Sequence, residues 1–91
     1  MKEIILEGSL FTSRQELHNI LKSELMLPEY YGKNLDALWD CLTTDIELPL
    51  KIQWLDFEKS QKFLGSYAED TRDLFLRASE ALKGNLEVVI S

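Results

Sequence analysis

Residues 27–43 have the sequence LPEYYGKNLDALWDCLT and form the most informative stretch of the chain. Pro28 and Gly32 favour a turn that holds the two tyrosines between them. Asn34 is a preferred residue at a helix N-cap, because its side-chain oxygen accepts a hydrogen bond from an otherwise unsatisfied backbone N–H group. The pattern therefore predicts an aromatic turn followed by a helix from Asn34 to about Thr43.

This predicted helix has two different faces. At about 100° per residue, its apolar side chains fall on one arc, which comprises Leu35, Leu38, Cys41 and Leu42, with Trp39 at the margin. Asp36 and Asp40 lie together on the other side, one turn apart. The helix dipole favours Asp36 in the first turn but opposes Asp40, whose like-charge neighbour costs a further ~0.2–0.5 kcal/mol. Asp40 is therefore a candidate functional residue, although a solvated helix face with a half-buried tryptophan gives the same local pattern.

The chain before this helix predicts a strand and another helix. The strand covers Glu3–Glu7, where apolar residues are concentrated. The helix begins at Ser13, which forms a capping-box pattern with Glu16. Its apolar residues recur at helical spacing, namely Leu17, Ile20, Leu21 and Leu25. Two helices therefore lie between the first strand and a second strand at residues 50–55.

Two more helices are predicted between the second strand and a third strand at residues 86–90. Asp56 is a candidate N-cap of a short helix that Gly65 ends, and Ser66 forms a second capping-box pattern with Glu69. The last helix continues towards Gly84. Its inward face is predicted to comprise Tyr67, Thr71, Leu74, Phe75, Ala78 and Leu82.

The order of elements is therefore β-α-α-β-α-α-β. Each pair of helices is long enough to be a crossover connection, so we predict an α/β fold in which helices pack on a small three-stranded parallel sheet. Ninety-one residues suffice for one domain with a modest core. We expect residues 1–91 to form a single domain.

Composition limits the classes of function. The net charge of −6 disfavours general binding to nucleic acid or anionic membranes and points to a basic partner, although solubility alone also explains it. The apolar run Ile4–Leu6 is too short for a signal peptide or a membrane span, so we expect a cytoplasmic protein. Cys41 is the single cysteine and is expected to pack in the core. His18 is the single histidine, and we expect no metal site and no cofactor.

The run from Leu27 to Gly32, followed by the run from Asn34 to Thr43, resembles the family of barstar, an intracellular inhibitor of the secreted bacterial ribonuclease barnase. A weaker resemblance extends over nearly the whole chain, through Leu17-His18, Glu24-Leu25, Pro49-Leu50, Trp54, Phe57-Glu58, Ala68-Glu69, Phe75 and Ile90-Ser91. The resemblance implies the same α/β architecture. It also implies a cis peptide bond before Pro49.

By this resemblance, the chain is expected to be an inhibitor rather than an enzyme. It would act as a monomer and form a 1:1 complex with a basic ribonuclease, either of the extracellular type or a toxin. Asp40 would take the place of the scissile phosphate, Asp36 would be a second anchor for basic side chains, and Tyr30 would pack against the catalytic histidine of the nuclease. The resemblance completes the expected contact with Asn34, Trp39, Thr43 and Thr44.

Two positions depart from the family pattern. Thr44-Asp45 occupies the place of a tryptophan that follows the acidic helix in the type member, and Arg77 occupies the place of a glutamate that contacts the nuclease. Like charges facing each other across an interface can cost several kcal/mol, so a reversed charge at the rim disfavours some partners.

Two other classes of function remain as alternatives. An enzyme could use Asp36 and Asp40 as an acid–base pair or as metal ligands, but the additional ligands, the second histidine and the glycine-rich phosphate loop of such sites are missing from the sequence. A barstar-fold interaction or homodimer module could use the surface of Tyr30, Tyr31 and Trp39 without inhibiting a ribonuclease. Metal-dependent activity would favour the first alternative, and self-association without a nuclease would favour the second.

Overall fold

The computed structural model describes residues 2–91 and has the predicted element order. Its strands are β1 (Lys2–Glu7), β2 (Leu50–Leu55) and β3 (Leu86–Ile90). Its α-helices are α1 (Arg14–Leu25), α2 (Leu35–Asp40), α3 (Phe57–Leu64) and α4 (Ser66–Ala81), and a π-helical segment (Cys41–Asp45) continues α2. None of the helices within residues 2–91 combines the length and the apolar character needed to cross a membrane.

The three strands form one parallel sheet in the order β1-β2-β3. In this register, Ile4 lies beside Ile52, and Ile52 lies beside Val88. Parallel neighbours require crossover connections, and each crossover here consists of two helices. The predicted α/β fold with a three-stranded parallel sheet is confirmed.

The helices cover one face of this sheet. Side chains alternate along a strand, and on β2 the residues Leu50, Ile52 and Trp54 are buried, whereas Lys51 and Gln53 are partly exposed. Right-handed crossovers between strands in sequential order place both pairs of helices on the same side, which agrees with this alternation. The other face is more polar and carries a salt bridge between Lys51 and Glu3, with an N–O distance of 3.7 Å.

Trp54 lies at the centre of the core, as the sequence predicts. It is fully buried, and its ring packs edge-on against Phe57 and Phe75, with centroid distances of 4.8 and 6.0 Å. Its indole Nε1 donates a hydrogen bond to Ser60 Oγ at 3.0 Å, and Ser60 donates in turn to the carbonyl oxygen of Gly8 at 3.3 Å. This chain satisfies the buried polar atoms and joins β2 to α3 and to the end of β1.

Gly8 is required where β1 ends, because the backbone of the next strand comes very close. A Cβ atom at this position would lie 2.4 Å from the carbonyl oxygen of Asp56 and 2.6 Å from that of Leu55. The Gly8 N–H group also donates to the Leu55 carbonyl oxygen at 2.8 Å. The close approach therefore comes with a backbone hydrogen bond that extends the β1–β2 pairing.

The predicted short helix is present, with Asp56 at its N-cap position and Gly65 at its end, but two predicted side-chain caps are not formed. Asp56 has a left-handed backbone with φ of 52°, and within residues 2–91 its side chain makes no capping hydrogen bond; its carbonyl oxygen accepts from Lys59 and Ser60 instead. Ser66 lies inside the first turn of α4, because α3 and α4 are separated by one residue and Gly65 occupies the N-cap position with φ of 61°. A single linking residue must reverse the backbone, and glycine does so without a steric penalty.

The connections on either side of the sheet agree with the remaining predictions. The Leu48–Pro49 peptide bond is cis, as the resemblance implies. Helix α4 ends at Ala81, and the chain reaches β3 through Gly84, whose φ is 87°.

Candidate functional site

Helix α2 begins with the cap that the sequence predicts. Asn34 Oδ1 accepts a hydrogen bond from the Ala37 backbone N–H group at 2.8 Å, and its Nδ2 donates to the Gly32 carbonyl oxygen at 3.4 Å. The first bond satisfies a donor that the helix itself leaves unpaired. Asn34 therefore fixes both the start of the helix and the end of the preceding turn.

The apolar face of this helix is anchored in the core. Leu38, Cys41 and Leu42 are buried, and Leu35 and Trp39 are partly buried against the same cluster. Burial raises the pKa of the Cys41 thiol, and the negative charges of nearby acidic groups act in the same direction. The thiol therefore stays protonated and packs as a small apolar group, which confirms the prediction of a core cysteine.

The helix extends two residues beyond the predicted end because its last turn is π-helical. The Ile46 N–H group donates to the Cys41 carbonyl oxygen at 3.1 Å, an i→i+5 bond. Thr43 Oγ1 donates to the Trp39 carbonyl oxygen at 2.9 Å, and Thr44 Oγ1 donates to that of Asp40. Threonine hydroxyls that donate to the carbonyl oxygen four residues earlier often bend a helix, and π-turns are frequent at functional sites.

The two aspartates of α2 are exposed and lie outside the described salt bridges. Asp36 and Asp40 are both exposed to solvent. The salt bridges described within residues 2–91 join Lys22 to Glu29, Lys51 to Glu3 and Arg72 to Asp73, so neither aspartate belongs to one of them. The structure thus places two exposed carboxylates on a helix whose opposite side is packed in the hydrophobic core.

The turn before α2 separates its two tyrosines. Tyr30 is 82% exposed, whereas Tyr31 is only 5% exposed. The hydroxyl of Tyr31 lies 2.6 Å from His18 Nδ1, and the hydroxyl of Tyr67 lies 2.6 Å from His18 Nε2. His18 is fully buried in α1, so this triad of His18, Tyr31 and Tyr67 ties the turn to both α1 and α4.

The triad is held together by a neutral imidazole. Burial lowers the pKa of His18, and the positive charge of Lys33 lowers it further. Burial also raises the pKa of Tyr31, which keeps its hydroxyl protonated. A neutral ring carries one N–H group, so one tyrosine hydroxyl accepts a hydrogen bond from the ring and the other donates one to it. Sequence reasoning treated His18 only as an unlikely metal ligand and missed this role.

A groove of about 890 Å³ runs between α2 and α4. Its lining comprises Leu35, Asp36 and Trp39 from α2 and Asp70, Asp73, Leu74, Leu76 and Arg77 from α4. Two of the predicted site residues, Asp36 and Trp39, therefore line a groove whose other wall is α4. The 70–73–77 spacing on one helix face was the signal that could have indicated this groove in the sequence.

The structure thus gathers the predicted site residues on one continuous segment. Tyr30 lies in the turn, Asn34 caps the helix, and Asp36, Trp39 and Asp40 lie on it. Thr43 and Thr44 lie in the π-helical segment, where their hydroxyls bond to backbone carbonyl oxygens. Among residues 2–91, no group of three or more histidine, cysteine or acidic side chains is arranged to hold a metal ion.

Comparison with known proteins identifies the family of this chain. The family model described as "Barstar (barnase inhibitor)" matches residues 1–90. The chain is also 47% identical over 90 residues to the protein named "Putative ribonuclease inhibitor YrdF" of Bacillus subtilis (strain 168), and the match covers 99% of each chain. On the strength of a match that includes the turn, the acidic helix and all three strands, this chain belongs to the barstar family.

Proposed function

We propose that this protein inhibits a basic, barnase-like ribonuclease by placing the acidic face of α2 in the active site of the enzyme. The observation that carries the proposal is the pair of exposed carboxylates, Asp36 and Asp40, on a helix anchored in the core. Family membership and the name of the 47% identical relative support the same class of function. The protein then acts by binding, without catalysis and without a cofactor.

The chemistry of the partner follows from the substrate that it binds. A ribonuclease places arginine, lysine and histidine side chains around a negatively charged phosphate. A carboxylate on a rigid helix presents the same sign of charge to these groups and offers no bond that can be cleaved. In this proposal Asp40 occupies the phosphate position and Asp36 binds a second basic group.

The surrounding residues complete the contact. Tyr30 exposes most of its ring and can pack on a flat group such as the imidazole of the catalytic histidine. Trp39 lies at the edge of the apolar face and contributes a second aromatic surface. Asn34, Thr43 and Thr44 form the polar rim, whose individual contacts contribute little affinity but help to keep water away from the centre of the interface.

The oligomeric state and location belong to the same proposal. We place the protein in the cytoplasm as a monomer that binds one nuclease molecule. A single unpaired cysteine suits a reducing compartment.

Titration against purified basic ribonucleases tests the proposal. RNA cleavage is followed with a fluorogenic substrate in the presence of EDTA, and we expect loss of activity with an equivalence point at one inhibitor per nuclease for at least one enzyme. Asp40→Asn should shift this titration, whereas Glu87→Gln, an exposed site on β3, should not. Full activity of every nuclease at a large excess of the protein would contradict the proposal.

A further inference from the structure

A second, smaller pocket lies beside the start of α2, on the side that faces α1. Its volume is about 330 Å³, which is enough for one inserted side chain. It is lined by Arg14 from α1, by residues 33–36 and by Tyr67 from α4. The charged members of this lining are Arg14, Lys33 and Asp36. The pocket therefore carries more positive than negative charge, on a chain whose net charge is −6.

The guanidinium of Arg14 is held in place by an aromatic ring. Its Cζ atom lies over the ring of Tyr67, 4.4 Å from the centroid. Tyr67 is itself fixed, because its hydroxyl lies 2.6 Å from Nε2 of the buried His18. A stacked guanidinium uses its flat face, so the N–H groups in its plane stay available to donate to a carboxylate.

Lys33 brings a second positive charge to the same pocket. Its backbone is left-handed, with φ of 53°, a conformation that glycine adopts without steric cost. The Asn34 side chain bonds to the backbone of Gly32 and of Ala37, so the turn on both sides of Lys33 is held. Burial lowers the pKa of His18, and the charge of Lys33 lowers it further, which agrees with an ammonium group close to the triad.

Neither cation is accounted for by a negative neighbour. Both are exposed, and the salt bridges described within residues 2–91 include neither of them. Arg14 is the first residue of α1 and Lys33 precedes the N-cap of α2, where the helix dipole disfavours positive charge. Asp36 shares the pocket without a described salt bridge to either cation, and Asp70 lines the groove between α2 and α4 instead.

The position of this basic pair constrains the proposed complex. Asn34 and Asp36 belong both to the pocket and to the proposed contact surface, so a bound nuclease would cover Arg14 and Lys33 as well. A uniformly basic nuclease surface would place like charges opposite each other there, which can cost several kcal/mol. The partner therefore needs a negative group at this point.

We propose that Arg14 and Lys33 together bind a carboxylate side chain that the nuclease carries at the edge of its basic active site. This inference rests on the proposed function and specifies an acidic group in an otherwise basic partner. Asp36 would bind a basic group beside that carboxylate, so that the charges alternate on both sides of the contact. A nuclease with a basic residue at the same place would be rejected, which makes the pair a determinant of partner choice.

Charge reversal at Lys33 gives a result of opposite sign from general attraction between an acidic inhibitor and a basic enzyme. With a nuclease that the wild-type protein inhibits, Lys33→Glu should weaken inhibition at least tenfold. The control Lys59→Glu, at an exposed position of α3 outside the pocket, changes the net charge equally and should leave inhibition unchanged or slightly stronger. Inhibition by Lys33→Glu that equals or exceeds that of the control would overturn the proposal.

A milder variant guards against a folding defect. Lys33→Gln keeps most of the side-chain length, removes the charge and should weaken inhibition at least threefold. Urea unfolding verifies that each variant is folded. Wild-type inhibition by a folded Lys33→Gln would also overturn the proposal.

A charge swap identifies the carboxylate of the nuclease. Each acidic residue around the active site of the nuclease is replaced by lysine, and binding is measured by calorimetry so that a variant without activity is still informative. One of these replacements should weaken binding of the wild-type inhibitor and strengthen binding of Lys33→Glu at least tenfold, the coupling expected for a direct pair. The proposal is wrong if none of them does so.

A phosphate is the other group that such a basic pair could bind. A fluorescein-labelled oligouridine titrated into the protein should show no change in anisotropy, and RNA binding that Lys33→Glu abolishes would overturn the carboxylate assignment. A wild-type protein that inhibits no nuclease would contradict both proposals, whereas inhibition that is insensitive to Lys33→Glu would contradict only this one.

Discussion

The carboxylate of Asp40 makes no described hydrogen bond or salt bridge within residues 2–91. This residue lies inside the continuous helical segment that α2 forms with the π-helical residues, one turn from the like charge of Asp36, and outside the described salt bridges. Its backbone carbonyl accepts hydrogen bonds from Thr43 and Thr44, but its side chain contributes nothing to them. Within residues 2–91, the described hydrogen bonds of this residue therefore involve its backbone and not its carboxylate.

Asp40→Ala should separate binding from stability. We expect affinity for an inhibited nuclease to fall by more than about 2 kcal/mol, because the basic groups of the active site would lose their partner. The free energy of unfolding should stay unchanged or rise by a few tenths of a kcal/mol, since the repulsion between like charges one turn apart is removed. Inhibition assays and urea unfolding on the same variant measure both quantities. Unchanged affinity with a stability loss above about 1 kcal/mol would identify Asp40 as a structural residue.

His18 should make the stability of the protein depend on pH. Burial lowers the pKa of His18 in the folded state below its ordinary value of about 6.5, so the unfolded chain binds a proton more readily than the folded one. The contribution of His18 is therefore fully present above about pH 6.5 and is lost progressively as the pH falls through the lowered folded value. Protonation also gives the ring two N–H groups, so both tyrosine hydroxyls must accept.

Urea unfolding of the wild type and of His18→Gln between pH 7.5 and 5 tests this prediction. The variant should be less stable at neutral pH but should lose less stability on acidification, and the difference between the two curves removes the contribution of carboxylates. Parallel curves would show that His18 is not the titrating group.

At the scale of elements, the start of α2 depends on one side chain. Asn34→Ala removes the hydrogen bond to the Ala37 N–H group and should lower the free energy of unfolding by about 0.5–2 kcal/mol. Asn34→Ser keeps an acceptor at the cap and should recover most of this loss. Urea unfolding midpoints compare the three proteins, and equal values for Asn34→Ala and the wild type would contradict the capping role.

The junction of β1 and β2 is the second element-scale feature that can be tested. Gly8→Ala places a Cβ atom 2.4 Å from the Asp56 carbonyl oxygen, which is backbone and cannot turn aside as a side chain can. We expect a loss of about 1–3 kcal/mol or more in the free energy of unfolding. Ser9→Ala, at the next, partly buried position, serves as a comparison and should be much milder. If Gly8→Ala unfolds at the same urea concentration as the wild type, the ends of β1 and β2 can move apart at little cost and the prediction is wrong.

Caps show how far local sequence rules reach. Ser13 and Asn34 follow loops, and the side chain of each accepts the predicted bond from a backbone N–H group, although the carboxylate of Glu16 accepts from Thr12 rather than from Ser13. Asp56 and Ser66 are equally good capping residues by type. The backbone of Asp56 is set by the end of β2, and the position of Ser66 is set by the single-residue link between α3 and α4, so neither side chain caps a helix. The prediction failed where tertiary geometry, rather than the residue type, determined the backbone conformation.

At the scale of the whole molecule, the alternating pattern of β2 and the two-helix crossovers were enough to predict the parallel sheet. The predicted site residues also lie on one segment, because they are close in sequence. The groove and the His18 triad could not be predicted in the same way, since Tyr31 and Tyr67 are far apart in sequence and meet only when α1 and α4 pack. Side chains that meet across elements leave no periodic signal.

The net charge of −6 should control how fast the complex forms. Opposite charges accelerate encounter over distances longer than a contact, and salt screens them. We expect the association rate with an inhibited nuclease to fall roughly tenfold or more between low salt and about 0.5 M salt, with a smaller change in the dissociation rate. Stopped-flow fluorescence measures both. An association rate that does not change with salt concentration would show that electrostatic attraction does not accelerate association.

The buried hydrogen bonds between His18 and its two tyrosines have a consequence for the entropy of binding. A flexible turn would lose conformational freedom when a partner ordered it, and each immobilised side chain or loop residue would subtract from affinity. Here Tyr31 is already fixed by folding, so the neighbouring Tyr30 is displayed from a backbone that is largely ordered before any partner arrives. In the proposed complex, the contact surface around Tyr30 is therefore preorganised, and much of the ordering that a partner would otherwise have to impose is completed when the chain folds.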